Sequence, residues 1–147
     1  MAELSSRLAA ILDALPLRPG MRVLELGCGP GALARAIAER VGPEGFVLGV
    51  DRSMMAVQAA ERQSDAGNLK FRVVTAEGFR LKAGEAPFDL VVAIRVGALD
   101  GRHPELEAAA MERLRAATVP GASLFIDRGD PLVEVPLHEA EAGPKIA

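Results

Sequence analysis

Tryptophan and tyrosine are absent from the 147 residues and only five phenylalanines occur. An aromatic cage for a methylammonium group, or a platform for stacked nucleobases, therefore has little to be built from. The single cysteine cannot close an internal disulfide or assemble a thiolate metal cage, and the two histidines, His103 and His138, stand far apart in the chain. No metal site is expected. Positive charge is not in excess: 17 basic residues face 20 acidic ones, a net charge of −3, so no field draws in a phosphate backbone and nucleic acid is not the expected partner. No apolar run reaches the roughly 18 residues of a membrane span. Residues 1–15 carry Glu3, Arg7 and Asp13 among their apolar positions, unlike a signal peptide. A cytoplasmic location without a membrane partner is the expectation.

Half of the residues are hydrophobic and a quarter are charged, the balance of an ordinary core beneath a polar surface. The length predicts one domain over 1–147: a helix and turn in 1–20, a binding core in 21–128, and a short edge strand and tail in 129–147. Leu4, Leu8, Ile11, Leu12 and Leu15 recur at helical spacing, and Pro16 with Arg18-Pro19-Gly20 closes that helix. Thereafter the period alternates. Strands are predicted over 21–26, 46–50, 71–75, 88–94 and 122–127, with a short edge strand over 132–135 between Pro131 and Pro136. Helices are predicted over 32–41, from the Ser53 cap to about Ala66, and from Pro104 to about Ala117. The polar stretch before Pro87 has room for a short helix. Strands alternating with helices imply right-handed crossovers. The predicted fold is α/β, Rossmann-like and doubly wound: a mostly parallel sheet of five or six strands, helices on both faces, short at the C-terminus.

Ligands of such sheets bind beyond the carboxyl ends of the strands, and two features fall there. In Glu25-Leu26-Gly27-Cys28-Gly29-Pro30-Gly31 the glycines permit a tight turn and remove side chains where a ligand approaches the backbone. Asp51 ends the next strand, 24 residues after Gly27, where a carboxylate can accept hydrogen bonds from a ribose diol.

These residues resemble the motifs of the class I S-adenosylmethionine-dependent methyltransferases. Glu25 to Gly31 is similar to their first motif, Gly49-Val50-Asp51-Arg52-Ser53 to the acidic second, Ala76-Glu77-Gly78 to the third, and Phe88-Asp89-Leu90-Val91-Val92 to the fourth. The likeness runs in the right order from about Leu8 to Asp127. It implies S-adenosylmethionine as cofactor, with the backbone of Gly27, Cys28 and Gly29 offered to the methionine moiety and Glu25 fixing its amino group, directly or through water. It further implies Asp51 on the ribose hydroxyls, Arg52 beside the adenine, Glu77 or the backbone of Ala76 and Gly78 at the adenine edge, and Ile94 and Arg95 near the reacting methyl and the acceptor. The expected activity is in-line methyl transfer to a small molecule, and no residue is singled out as a general base.

Gly27, Gly29 and Ala32 also satisfy the looser dinucleotide fingerprint, so a nicotinamide-dependent oxidoreductase is the rival. Glu25 separates the two. A carboxylate two residues before the first glycine suits a cationic amino group better than a pyrophosphate. A domain that binds the methyl donor without turnover is the further alternative. Cys28 reads as a small packing residue. About twenty residues remain after the fifth strand, where family members commonly carry two more strands, so either the edge strand caps the sheet or two chains pair across it as a homodimer.

Overall fold

The computed structural model describes residues 4–138. Helix α1 (Ser6–Ala14) begins where the Ser5 hydroxyl accepts the Leu8 N–H at 3.2 Å, which satisfies one of the donors a helix start leaves open. Five parallel strands follow: β1 (Arg22–Leu26), β2 (Phe46–Asp51), β3 (Leu69–Val73), β4 (Phe88–Ala93) and β5 (Thr118–Ile126). Between them lie α2 (Ala32–Val41), α3 (Met54–Arg62) and, after a 3-10 turn at Pro104–Leu106, α4 (Glu107–Ala116). The last strand, β6 (Val133–Pro136), runs antiparallel along β5 and forms one sheet edge.

The strand order is β3-β2-β1-β4-β5-β6, so the chain reverses direction across the sheet between β1 and β4. That reversal opens a crevice at the strand ends. Side chains of β1 alternate between two cores. Val23 packs with Ile11 of α1 and with Leu33 and Ile37 of α2, whereas Leu24 and Leu26 pack with Ala110 and Leu114 of α4. Burial on both faces is why these strands read as unbroken apolar runs.

Three boundaries differ from the sequence reading. β3 starts at Leu69 rather than Phe71, because Leu69 opposes Val47 of β2. β5 starts at Thr118 rather than Ala122 and runs straight through Pro120-Gly121, a dipeptide whose local preference is a turn. Thr118 opposes Phe88 and Ser123 opposes Leu90, so five steps along β5 match two along β4 and a bulge takes up the excess. The stretch before Pro87 forms no helix; the Gly78 N–H closes a turn on the Thr75 hydroxyl at 3.1 Å, and Phe79, fully buried, covers the sheet there. Smaller shifts end α3 at Arg62 and place the edge strand one residue later than expected.

Candidate functional site

The glycine loop leaves β1 at the crevice. Gly27, Gly29 and Gly31 have φ of 69°, 52° and 89°, a region that glycine enters at little cost. The loop is held by its own backbone: the Cys28 N–H donates to the Val50 carbonyl at 2.9 Å, and the Gly31 N–H to the Cys28 carbonyl at 3.0 Å. The three glycines differ in what surrounds them. A Cβ at Gly27 would lie 2.8 Å from the Ile94 carbonyl oxygen, and one at Gly31 would lie 2.8 Å from Phe71 Cζ, whereas one at Gly29 would meet nothing within 4 Å. Of the three, only Gly29 keeps a Cβ-sized space open; the other two make room for the protein itself.

Asp51, half-buried at the end of β2, faces that loop. Its Oδ2 accepts the Gly29 N–H at 3.0 Å and its Oδ1 accepts the Ser53 N–H at 2.8 Å. Each carboxylate oxygen has a second lone-pair direction left for a ligand. Ser53 in turn caps α3 through its hydroxyl, which accepts the Ala56 N–H at 3.2 Å, so loop, carboxylate and helix start are mutually fixed. The Asp51 carbonyl accepts the Val74 N–H at 3.0 Å and brings the segment after β3 to the same place.

Together these elements enclose a cleft of about 200 Å³. Gly27, Asp51, Arg52, Ala76, Glu77 and Arg95 line it, as do Val74, Thr75, Val96, Gly97, Ala98, Arg102 and His103. The first six belong to the expected set. The others follow β3 and β4 in the chain, and their position at strand ends was the only sequence signal for them. Five expected residues do not line the cleft: Glu25, Cys28 and Ile94 are buried behind it, whereas half-buried Gly29 and exposed Gly78 lie outside its lining. Ile94 is buried against the second core, with its N–H donating to the Leu26 carbonyl at 3.4 Å. Cys28 is buried, and burial together with the charges of Glu25 and Asp51 pushes its thiol far above the ordinary range, which leaves it protonated and unreactive.

Glu25 is the notable buried charge. It is 2% exposed, and desolvation, with a smaller contribution from Asp51, raises its carboxyl from the usual 4.5 to about 8; the Ala34 backbone N–H and the charge of Arg35 oppose that rise. Its Oε1 has no hydrogen-bond partner among the described residues. A buried acceptor left open in this way costs about 1–3 kcal/mol. No group of three or more His, Cys, Asp and Glu among the described residues is placed to hold a metal ion, and no helix there is long and apolar enough to cross a membrane.

Known proteins are similar to this chain in sequence and fold. The chain is 40% identical over 124 residues to the ribosomal protein L11 methyltransferase of Thermus thermophilus, a match covering 83% of this chain and 44% of that one. It is 37% identical over 110 residues to nocamycin O-methyltransferase of Saccharothrix syringae, covering 71% and 37%. An S-adenosylmethionine-dependent methyltransferase structure from Mesorhizobium loti superposes with a TM-score of 0.67 at 22% identity, over 83% of this chain and 53% of that one. The chain thus spans less than half the length of these two curated relatives. Residues 17–145 match the methyltransferase domain family, and the chain belongs to the S-adenosylmethionine-dependent methyltransferases.

Proposed function

We propose that the protein binds S-adenosylmethionine across the glycine loop and Asp51 and directs its methyl group to a small molecule at the β4 end of the cleft. The observation that carries this reading is the unpartnered Oε1 of buried Glu25, beneath the loop where the amino group of a methionine tail would lie. An ammonium there compensates a carboxylate that the apo protein holds protonated near neutral pH. A dinucleotide would instead bring a pyrophosphate to the start of α2, near the Asp51 carboxylate that bonds the Gly29 N–H, and like charges oppose it.

Asp51 would take the ribose hydroxyls with its free lone pairs, and the open space over Gly29 would admit the ligand against the backbone. Arg52, Ala76, Glu77 and Gly78 would flank the adenine, and Ile94 would back the wall from which Arg95 meets the acceptor. When bound, the sulfonium supplies an electrophilic methyl for in-line displacement, so the task of the chain is alignment and exclusion of water. A chain without tryptophan or tyrosine and with five phenylalanines has little from which to build an aromatic cage or a base-stacking platform, which favours a small acceptor. The relatives are divided on this point, since one is named for a ribosomal protein and another for the small molecule nocamycin.

Calorimetric titration tests the donor. S-adenosylmethionine and its demethylated product should bind and NAD should not; silence with both sulfur compounds would overturn the reading. Incubation with the donor and a metabolite pool then tests turnover. Binding without any demethylated product would leave a donor-binding module in place of an enzyme.

A further inference from the structure

The strand end after β4 carries a feature that donor binding does not use. Arg95 has φ of 55°, the only positive φ at a non-glycine residue among the described positions, a conformation that persists only where the surroundings enforce it. Both of its backbone polar groups are gripped. Its N–H donates to Asp127 Oδ2 at 3.2 Å, and its carbonyl accepts from Arg102 Nη2 at 2.8 Å. Asp127 is itself anchored, since the same oxygen accepts the Arg7 guanidinium at 2.6 Å. The chain therefore fixes the Arg95 backbone from two sides in a strained state, and Arg95, exposed at the strand end, is among the residues that line the cleft.

Charge completes the picture. Arg102 is neutralised on the spot, its Nε donating to both carboxylate oxygens of Asp100 at 3.1 and 2.8 Å. His103 packs its ring across Gly97, where any Cβ would collide with it, and its Nδ1 is 3.5 Å from Glu105. The Arg95 guanidinium has no carboxylate partner among the described residues. Of the basic groups that the segment after β4 brings to the cleft, it is thus the uncompensated planar cation; Arg52, also without a carboxylate partner among the described residues, enters the lining from the end of β2. A planar monoanion matches the Arg95 guanidinium in charge and in hydrogen-bond geometry.

We infer that Arg95 anchors the methyl acceptor through a carboxylate, so that the substrates of this site are small carboxylic acids. The inference rests on the donor reading above. In this arrangement the carboxylate orients the acceptor and Arg102 and Asp127 act as positioning residues for Arg95.

The test uses the protein saturated with S-adenosylhomocysteine, with benzoate and its neutral counterpart benzamide as probes, followed by NMR of the Arg95 Nε–H and the Val96 and Gly97 amides. Benzoate should shift these signals saturably and about tenfold or more tighter than benzamide, as a charge-assisted pair predicts. Arg95→Asn, a residue that tolerates the left-handed backbone, should erase that preference, and Arg95→Lys should retain part of it. Equal binding of the two probes, a silent benzoate titration, or a preference that survives in Arg95→Asn would overturn the inference. Inorganic phosphate outcompeting benzoate would replace the carboxylate with a phosphate ester and overturn it too. Donor affinity is measured in parallel. A tenfold loss of S-adenosylhomocysteine binding in Arg95→Asn would assign the residue to the donor's own carboxylate, whereas failure of the wild type to bind that compound removes the donor reading itself.

Discussion

The Gly29 N–H donates to Asp51 Oδ2 at 3.0 Å, so the glycine loop and the end of the second strand, 22 residues apart, form one unit. The carboxylate has two duties: it holds the loop in shape and it presents lone pairs to the cleft. Asp51→Ala removes both. We expect it to lower unfolding stability by about 1–3 kcal/mol, as loss of charge-assisted bonds to two amides implies, and to abolish thermal stabilisation by S-adenosylmethionine. Asp51→Asn keeps one acceptor oxygen and turns its NH2 toward the other N–H, so it should recover at most part of the stability and should not restore full donor affinity. An undiminished thermal shift in Asp51→Ala would contradict the ribose assignment.

Glu25 predicts a pH dependence of definite sign. Its carboxyl titrates near 4.5 when solvated and near 8 in the fold, because burial disfavours the anion. Between those values the folded chain keeps a proton that the unfolded chain has released. Stability therefore falls as pH rises from about 4.5 to about 8 and levels off above. Glu25→Gln, neutral at every pH, should remove that slope, so its stability relative to the wild type should grow from pH 5 to pH 8 in denaturant titrations. Parallel curves would show that Glu25 is already ionised in the apo protein. The same variant should weaken donor binding and eliminate the proton release that calorimetry in buffers of different ionisation enthalpy would detect for the wild type.

The loop and Asp51 were legible in the sequence because local requirements choose their residue types: positive φ selects glycine, and a strand end facing that loop admits a short carboxylate. Arg102 and His103 carry no such mark. They reach the cleft only because Arg102 bonds back to the Arg95 carbonyl and the His103 ring lies over Gly97, contacts within a loop whose path local propensity does not set. Pro120-Gly121 shows the opposite failure, a sound local turn signal overridden by pairing of β5 with β4. Asn68 is a further case. Its side chain donates to the Ala38 and Gly42 carbonyls at 2.9 and 2.8 Å, closing the end of α2 from a position 26 residues beyond Gly42. The depth of Glu25 was equally hidden, since the motif supplies a carboxylate but not its burial.

Cys28 should be chemically silent. Its thiol is buried and held protonated by desolvation and two nearby acids, so a thiol reagent at pH 7.5 should label the folded protein orders of magnitude more slowly than the unfolded one. Its main-chain contacts, to Val50 and from Gly31, survive truncation, and only the weak Sγ–H hydrogen bond to the Gly29 carbonyl at 3.4 Å is lost. Cys28→Ala is expected to cost about 1 kcal/mol for the small void it leaves and to keep donor affinity within a few fold. Rapid labelling of the native protein, or loss of donor binding on truncation, would give the sulfur a role that its surroundings do not support.

The loop glycines separate folding from binding. At Gly31, φ is 89° and a new methyl group would press within 2.8 Å of Phe71 and 3.1 Å of Ala60, so Gly31→Ala strains both backbone and core. A loss of about 2 kcal/mol or more is expected from overpacking and the left-handed backbone together. At Gly29, φ is 52° and a methyl group would find no atom within 4 Å, so Gly29→Ala should cost about 1 kcal/mol, the ordinary penalty for alanine in that region. Donor binding reverses the order. The methyl group at Gly29 occupies space that the ligand would need and should reduce S-adenosylmethionine affinity by tenfold or more, on the order of 1.4 kcal/mol. Denaturant titration and calorimetry on the two variants decide the matter: if Gly29→Ala binds the donor as the wild type does, the ligand does not approach the backbone there.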